Sequence, residues 1–231
     1  MLRTLLPVNW GVRLFNMSKK IRPPLTLPEY ERIFRVIHSI LLAEEADTSK
    51  SCLFFNIAGA FILSNNHGHM NARPIAGLAG YNLRTRNGLS LVLGKVEQGK
   101  VTVSSDEFHC WVELDDWIID FSAPLFNSMV DPQRAEERIP PKMFQRLSSD
   151  RVLSLNELNT PGAYLHIPSQ EVTTELMLHF SELQANADLV KICADWHRCP
   201  PKRMQESIGV ANQHGQVNDV HLSKIYLEGA W

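Results

Sequence analysis

The chain has 231 residues, with 23 Lys and Arg against 25 Asp and Glu, for a formal charge of −2. This balance excludes a general nucleic-acid binder, which carries a basic excess, and the length suffices to bury a sizeable core as one elaborated domain. Cys52, Cys110, Cys193 and Cys199 have no regular spacing, which argues against a disulfide framework and for a reducing, cytoplasmic setting; no apolar run is long enough to span a membrane.

In chain order, residues 1–24 come first as an N-terminal arm. They contain basic residues but no continuous apolar core and no small-residue cleavage site, so they are not read as a signal peptide. The stretch reads as a disordered arm, or as sequence upstream of a natural start at Met17. "TLPEYERIFRVIHSILLAEEA" then predicts a helix. Thr26 and Glu29 form a capping box, and Ile33, Val36, Ile37, Ile40 and Leu41 form a helical apolar stripe. His38 lies beside that stripe and is read as structural.

Residues 52–63 are almost wholly apolar, long for a strand and suited to a buried helix. Thr48, Ser49 and Ser51 are candidate N-caps. With Ser49 as the cap, Cys52 falls in the first turn. Free backbone N–H groups and the positive end of the helix dipole then surround its sulfur. Such surroundings favour a reactive thiolate, and the same N–H groups can donate to an oxyanion.

A meander of strands follows. Asn87-Gly88 predicts a hairpin joining roughly 77–86 to 89–97, and Gln98-Gly99 a weaker one. Next comes "FHCWVELDDWIIDFSAP". A two-residue turn at Asp115-Asp116 pairs Leu114 with Trp117, Val112 with Ile119 and Cys110 with Phe121. That face is apolar. The other carries His109, Trp111 and Glu113, with Trp111 opposite Asp120. His109 and Asp120 become diagonal neighbours with Cβ atoms about 7 Å apart, within reach of one hydrogen bond. A three-residue turn would instead send them to opposite faces. The indole of Trp111 is expected to cover the His109–Asp120 bond.

Beyond Pro124 the pattern weakens. Residues 131–161 show no long periodic element. "GAYLHIPS" reads as an edge strand, and "EVTTELMLHFSELQ" and "ADLVKICADWHRC" as two helices, the second stopped by Pro200-Pro201. The final thirty residues read as irregular and polar. The helices carrying Met177 or Trp196 are expected either to wall the face of His109 or to cover the opposite side of the core. Helices gathered before an antiparallel sheet predict an α+β class.

His67, His69, Cys193, His197 and Cys199 are the candidate metal ligands. Structural zinc takes four ligands, commonly in close pairs two to four residues apart; Cys193 and Cys199 are farther apart, and no second clean pair exists. No metal and no other cofactor is expected. Arg73, Arg84 and Arg86 read as a solvated strand edge, and "GLAGYNL" lacks the Lys-Ser/Thr of a phosphate loop.

"SC" opening a buried helix, "ARPIAGLAGYNL" as the next strand, "HCWVEL" and "WIIDFS" together resemble the transglutaminase-like core, shared in related form by papain-like peptidases and arylamine N-acetyltransferases. The resemblance covers about residues 45–125. It implies a papain-like, transglutaminase-like α+β fold, in one of the uncharacterised bacterial families of that superfamily. By resemblance Cys52 is the nucleophile, His109 the general base and Asp120 the orienting acid, with Trp111 at the substrate. The Arg-Gly-Gly lead-in of the acetyltransferases is absent, which argues against an acetyl-coenzyme A donor. The resemblance implies a single catalytic domain over residues 25–231, with its core at 45–125 and a helical C-terminal elaboration at 160–231. It further implies acyl transfer or hydrolysis, as by an amidase or peptidase, on a small molecule or peptide bearing an acyl group. The alternative is an inactive fold of the same type that binds a peptide or partner; a third is a metal-stabilised structural protein.

Overall fold

The computed structural model describes residues 22–97, 100–131, 133, 136–198, 204–211 and 214–231. The N-terminal arm up to residue 21, the Gln98-Gly99 turn and Cys199 lie outside these. Helix α1 (Leu27–Ala43) begins with the expected box: the Glu29 carboxylate accepts from the Thr26 N–H at 2.7 Å. Its stripe from Ile33 to Leu41 is buried. A 3-10 turn, Thr48–Lys50, precedes helix α2 (Cys52–His67). Here the expected cap shifts. The Asp47 carboxylate takes the Ser49 N–H for the 3-10 turn, so Ser51, not Ser49, is the N-cap of α2 and Cys52 its first residue. The helix ends at Gly68, whose φ of +75° suits a residue without Cβ.

The sheet is antiparallel throughout. Strand β1 (Arg73–Asn82) pairs with β2 (Ser90–Leu93) through residues 79–82. The Asn87-Gly88 turn is real but wider than a two-residue loop: Leu83 N–H bonds to Leu89 O, and Gly88, at φ +68°, closes on Thr85 O. A separate hairpin, β3 (Lys95–Glu97) with β4 (Lys100–Thr102), follows. Strands β5 (His109–Leu114) and β6 (Trp117–Asp120) then pair in the expected register, Leu114 with Trp117 and Val112 with Ile119, around Asp115 at φ +50°.

A three-residue 3-10 turn, Ala123–Leu125, and a turn of helix, α3 (Phe126–Met129), lead on to β7 (Phe144–Leu147), which pairs with β6. The sequence reading left this stretch without an element; a four-residue edge strand reading Phe-Gln-Arg-Leu is too short to show a period. Strand β8 (Tyr164–Pro168) pairs with β1 alone, as the expected edge strand, beside the order β2-β1-β5-β6-β7. It comes close at Gly77, where an added Cβ would sit 2.2 Å from Ile167 O; glycine is required there.

Helices α4 (Gln170–Glu182) and α5 (Gln184–Arg198) follow as predicted. The tail expected to be irregular instead forms a hairpin, β9 (Ser207–Ala211) and β10 (Val217–His221). Its side chains are mostly exposed, and the alternation is confined to Ile208 and Val210 of β9, too short to mark a strand in sequence. The C-terminal region is therefore helical only in part.

Each face of the sheet carries a core. One packs Val112, Leu114, Ile119 and Phe121 against α1, α2 and α5. The other gathers Tyr81, Trp111, Ile118, Phe126, Phe144 and Tyr164. The architecture is α+β. Both ends of residues 25–231 tie into it: Gln145 holds Leu25 by both backbone groups, at 3.1 and 2.9 Å, and Ala230 bridges Met143. Among the described residues no helix is long and apolar enough to cross a membrane.

Candidate active site

His109 opens β5 and Asp120 closes β6. The two-residue turn between these strands keeps both on one face, and His109 Nε2 lies 2.7 Å from Asp120 Oδ2. Both are buried, at 1% and 0% exposure. The start of α2 brings Cys52 close to the same imidazole, near enough to help raise its affinity for a proton. Nε2 is occupied by the carboxylate, so Nδ1 is the nitrogen left for the sulfur. No side chain caps this end of α2, and the first N–H groups of a helix have no partner within it.

Burial opposes charge on both members of the His109–Asp120 pair. For His109, the attraction of Asp120 and the bonds to Asp120 and Cys52 outweigh it and raise the imidazole to about 10. For Asp120, burial pushes up, but His109, Ser122 and Tyr81 hold the carboxyl down at about 2. The favoured state is an imidazolium on a carboxylate.

The carboxylate is held from several directions. Oδ1 accepts from Ser122 N–H at 2.9 Å, Ser122 Oγ at 2.6 Å and Asn56 Nδ2 at 3.3 Å. Oδ2 accepts from Tyr81 Oη at 2.8 Å as well as from His109. The Tyr30 hydroxyl donates to the Asp120 backbone carbonyl. Asn56 also donates to Cys52 O at 3.0 Å and Cys110 O at 2.7 Å and accepts from Phe121 N–H at 3.0 Å. It therefore locks α2 to β5 and β6 at the level of the site.

Sequence reasoning missed Asn56, Tyr81, Ser122 and His166. Asn56 did leave a signal: it is a polar residue one helical turn after Cys52, inside an otherwise apolar run, and buried polar groups are kept only with partners. Trp111 is placed differently from expectation. It is fully buried, and its ring packs 4.4 Å from that of His166, between centroids, rather than over a cleft. Tyr81 and Phe126 are the rings beside His109, at 5.8 and 6.4 Å. Trp111 is thus shut off from solvent.

The C-terminal helices divide. Val172 and Leu176 of α4 pack with Ala76, Leu53, Val103 and Phe108. Helix α4, which carries Met177, thus packs against the segments next to Cys52 and His109 in sequence. Trp196 lies in the core behind α2.

A model of the family described as "Protein of unknown function (DUF2026)" matches residues 26–231. The chain belongs to the DUF2026 family. A solved structure, "The crystal structure of genomics APC5867", is 34% identical, with a TM-score of 0.80 over 93% of this chain and 100% of that one. No curated protein matches the chain.

In this DUF2026 chain Cys52 is only 6% exposed. A groove of about 710 Å³ opens elsewhere, between α2 and the α4–α5 pair, lined by Ile57, Phe61, Phe180 and Val190 among others and by neither Cys52 nor His109. The two candidate metal motifs do approach: His67 lies 6.4 Å from His69 and 5.1 Å from His197, between ring centroids. Asn66 Nδ2 contacts His197 Nδ1 at 3.1 Å. Among the described residues no group of three or more His, Cys, Asp or Glu is disposed to hold a metal. Arg73 and Arg86 are solvated and pair loosely with Glu113 and Glu137, each at 3.8 Å.

Proposed function

We propose that the chain is a cysteine enzyme of acyl transfer with a transglutaminase-like core. The observation that carries this reading is the gathering of three groups: a Cys at a helix start without a side-chain cap, a buried His close enough for the Cys to help hold its charge, and a carboxylate 2.7 Å from one ring nitrogen of that His. The order of elements supports the core: a Cys helix, antiparallel strands, His on one strand and Asp on the next. The Cys52 thiolate attacks the carbonyl carbon of an amide, ester or thioester. The bond to the leaving group breaks, and His109 supplies the proton that the leaving group takes. Water or an amine then attacks the thioester on Cys52, gives its proton to His109 and releases the acyl product.

The test is acylation by an activated aryl acetate, followed by peptide mass spectrometry. One acetyl group on Cys52, lost in Cys52→Ser and strongly slowed in His109→Ala, is expected. Acetylation spread over other residues, or indifferent to His109, would overturn the reading. A second reading, a binding module without catalysis, draws on the low exposure of Cys52 and His109, at 6% and 1%. The two part on iodoacetamide: an enzyme alkylates at Cys52 well before Cys110 and Cys193, whose thiols burial pushes up.

A further inference from the structure

A chain of contacts continues behind Asp120. Tyr81 Oη lies 2.8 Å from Asp120 Oδ2 and also 2.8 Å from His166 Nε2. All three are buried, at 2%, 0% and 3% exposure. The hydroxyl has one proton, and an ionised carboxylate only accepts. Tyr81 therefore donates to Asp120, and His166 must donate Nε2–H to the hydroxyl oxygen. That fixes the His166 tautomer and leaves Nδ1 bare, in accord with a buried Nδ1 that has no partner. Burial and the nearby His109 charge keep His166 neutral, down to about 3. The rings of Trp111, Phe144 and Tyr164 hold it in place, at 4.4, 5.8 and 5.5 Å between centroids.

Oδ2 of Asp120 is thus shared between two donors, His109 from one strand and Tyr81 from the next. We propose that Tyr81, oriented by His166, divides the Asp120 carboxylate with His109 and so limits how firmly His109 keeps its proton. Both are positioning residues of the Cys52 site. The inference rests on the reading of that site as catalytic, since an acid that must release its proton to a leaving group is slowed when its counter-ion holds it too tightly.

The test uses the full chain with ¹⁵N-labelled histidine, following the His109 ring by NMR against pH, together with turnover of the aryl acetate. Tyr81→Phe removes one donor from Oδ2 and leaves the carboxylate more basic. The His109 midpoint should rise by about one unit, the size of one hydrogen bond to a charged group. Acyl transfer should lose about tenfold in kcat with KM little changed, as for an interaction made during the chemical step. His166→Leu should move both in the same direction. His166→Gln, whose amide can still donate to Tyr81, should restore both. Iodoacetamide labelling of Cys110 reports on packing in every variant. An unmoved midpoint in Tyr81→Phe overturns the proposal, as does a midpoint that falls while Cys110 becomes labelled. If the wild-type chain is not acylated yet Tyr81→Phe still raises the His109 midpoint, the enzymatic reading fails and the shared carboxylate stands.

Discussion

His109 Nε2 and Asp120 Oδ2 meet at 2.7 Å with both side chains shut off from solvent. Removing one partner of such a pair leaves the other buried with its charge uncompensated. Asp120→Ala strands the His109 imidazolium together with the donors of Ser122, Tyr81 and Asn56. The expected loss is about 3–5 kcal/mol, as for other broken buried pairs, measured by urea denaturation near neutral pH. A loss under about 1 kcal/mol, the level of a surface ion pair, would mean that the site is hydrated and the pair loosely held.

Asn56 is the second structural element of the site. Its side chain satisfies Cys110 O, Phe121 N–H and Asp120 Oδ1 at once. Asn56→Ala should cost about 2–4 kcal/mol, because each buried backbone group left without a partner costs about 1–3. Asn56→Asp sets a second carboxylate where the amide now sits, 3.3 Å from Asp120 Oδ1. That variant should be more destabilised at neutral pH than at pH values low enough to protonate one of the two carboxyls. Equal stability at both pH values would contradict the placement of Asn56.

The parts of this site that were legible in sequence depended on short-range rules. The two-residue turn at Asp115-Asp116 fixes the register, and the register puts His109 and Asp120 on one face. The long apolar run from Cys52 declares a buried helix whose start carries the thiol. Tyr81 and His166 followed no such rule. They sit on β1 and β8, 85 residues apart, and meet only because β8 returns to lie against β1 at Gly77. Pairing of that kind is set by tertiary packing, and nothing in the local pattern of "GAYLHIPS" says which strand it joins. The β9–β10 hairpin escaped notice for a different reason: its alternation is confined to Ile208 and Val210 in β9 and does not continue through β10, too short a period to read.

Trp111 is a packing residue in this geometry. Its indole is wholly buried against His166 in the core on the α3 side of the sheet. Trp111→Ala should therefore cost about 3–5 kcal/mol through the cavity it leaves. Trp111→Phe, which keeps most of the volume, should cost far less and leave Cys52 alkylation near wild type. A Phe variant that stays stable but loses thiol reactivity would restore Trp111 to the site itself.

The pH dependence of stability follows from the buried imidazoles. Burial lowers His38 to about 4 and, with neighbouring positive charge, His166 and His197 to about 3 each. All three titrate near 6.5 when unfolded. Between pH 6.5 and about 4 the unfolded chain therefore binds more protons than the native one, and stability must fall as pH falls. His109 has the opposite sign. Raised to about 10 by Asp120 against the cost of burial, it contributes in full below pH 6.5, and that contribution is lost as pH climbs toward 10. Buried Cys110, pushed well above its usual range, adds to the loss once unfolded thiols ionise, above about pH 8.5. Asp120, held at about 2, withdraws its own share only as pH drops below about 3.9. The urea midpoint should thus peak near pH 6.5 and decline on both sides. His38→Asn, which can keep the 2.9 Å contact to Ser223 Oγ, should flatten the acid limb. Asp120→Asn should flatten the alkaline limb while lowering the whole curve. A stability that rises between pH 6.5 and 4 would show that these imidazoles gain protons in the native state, and the neutral tautomer assigned to His166 would fall with it.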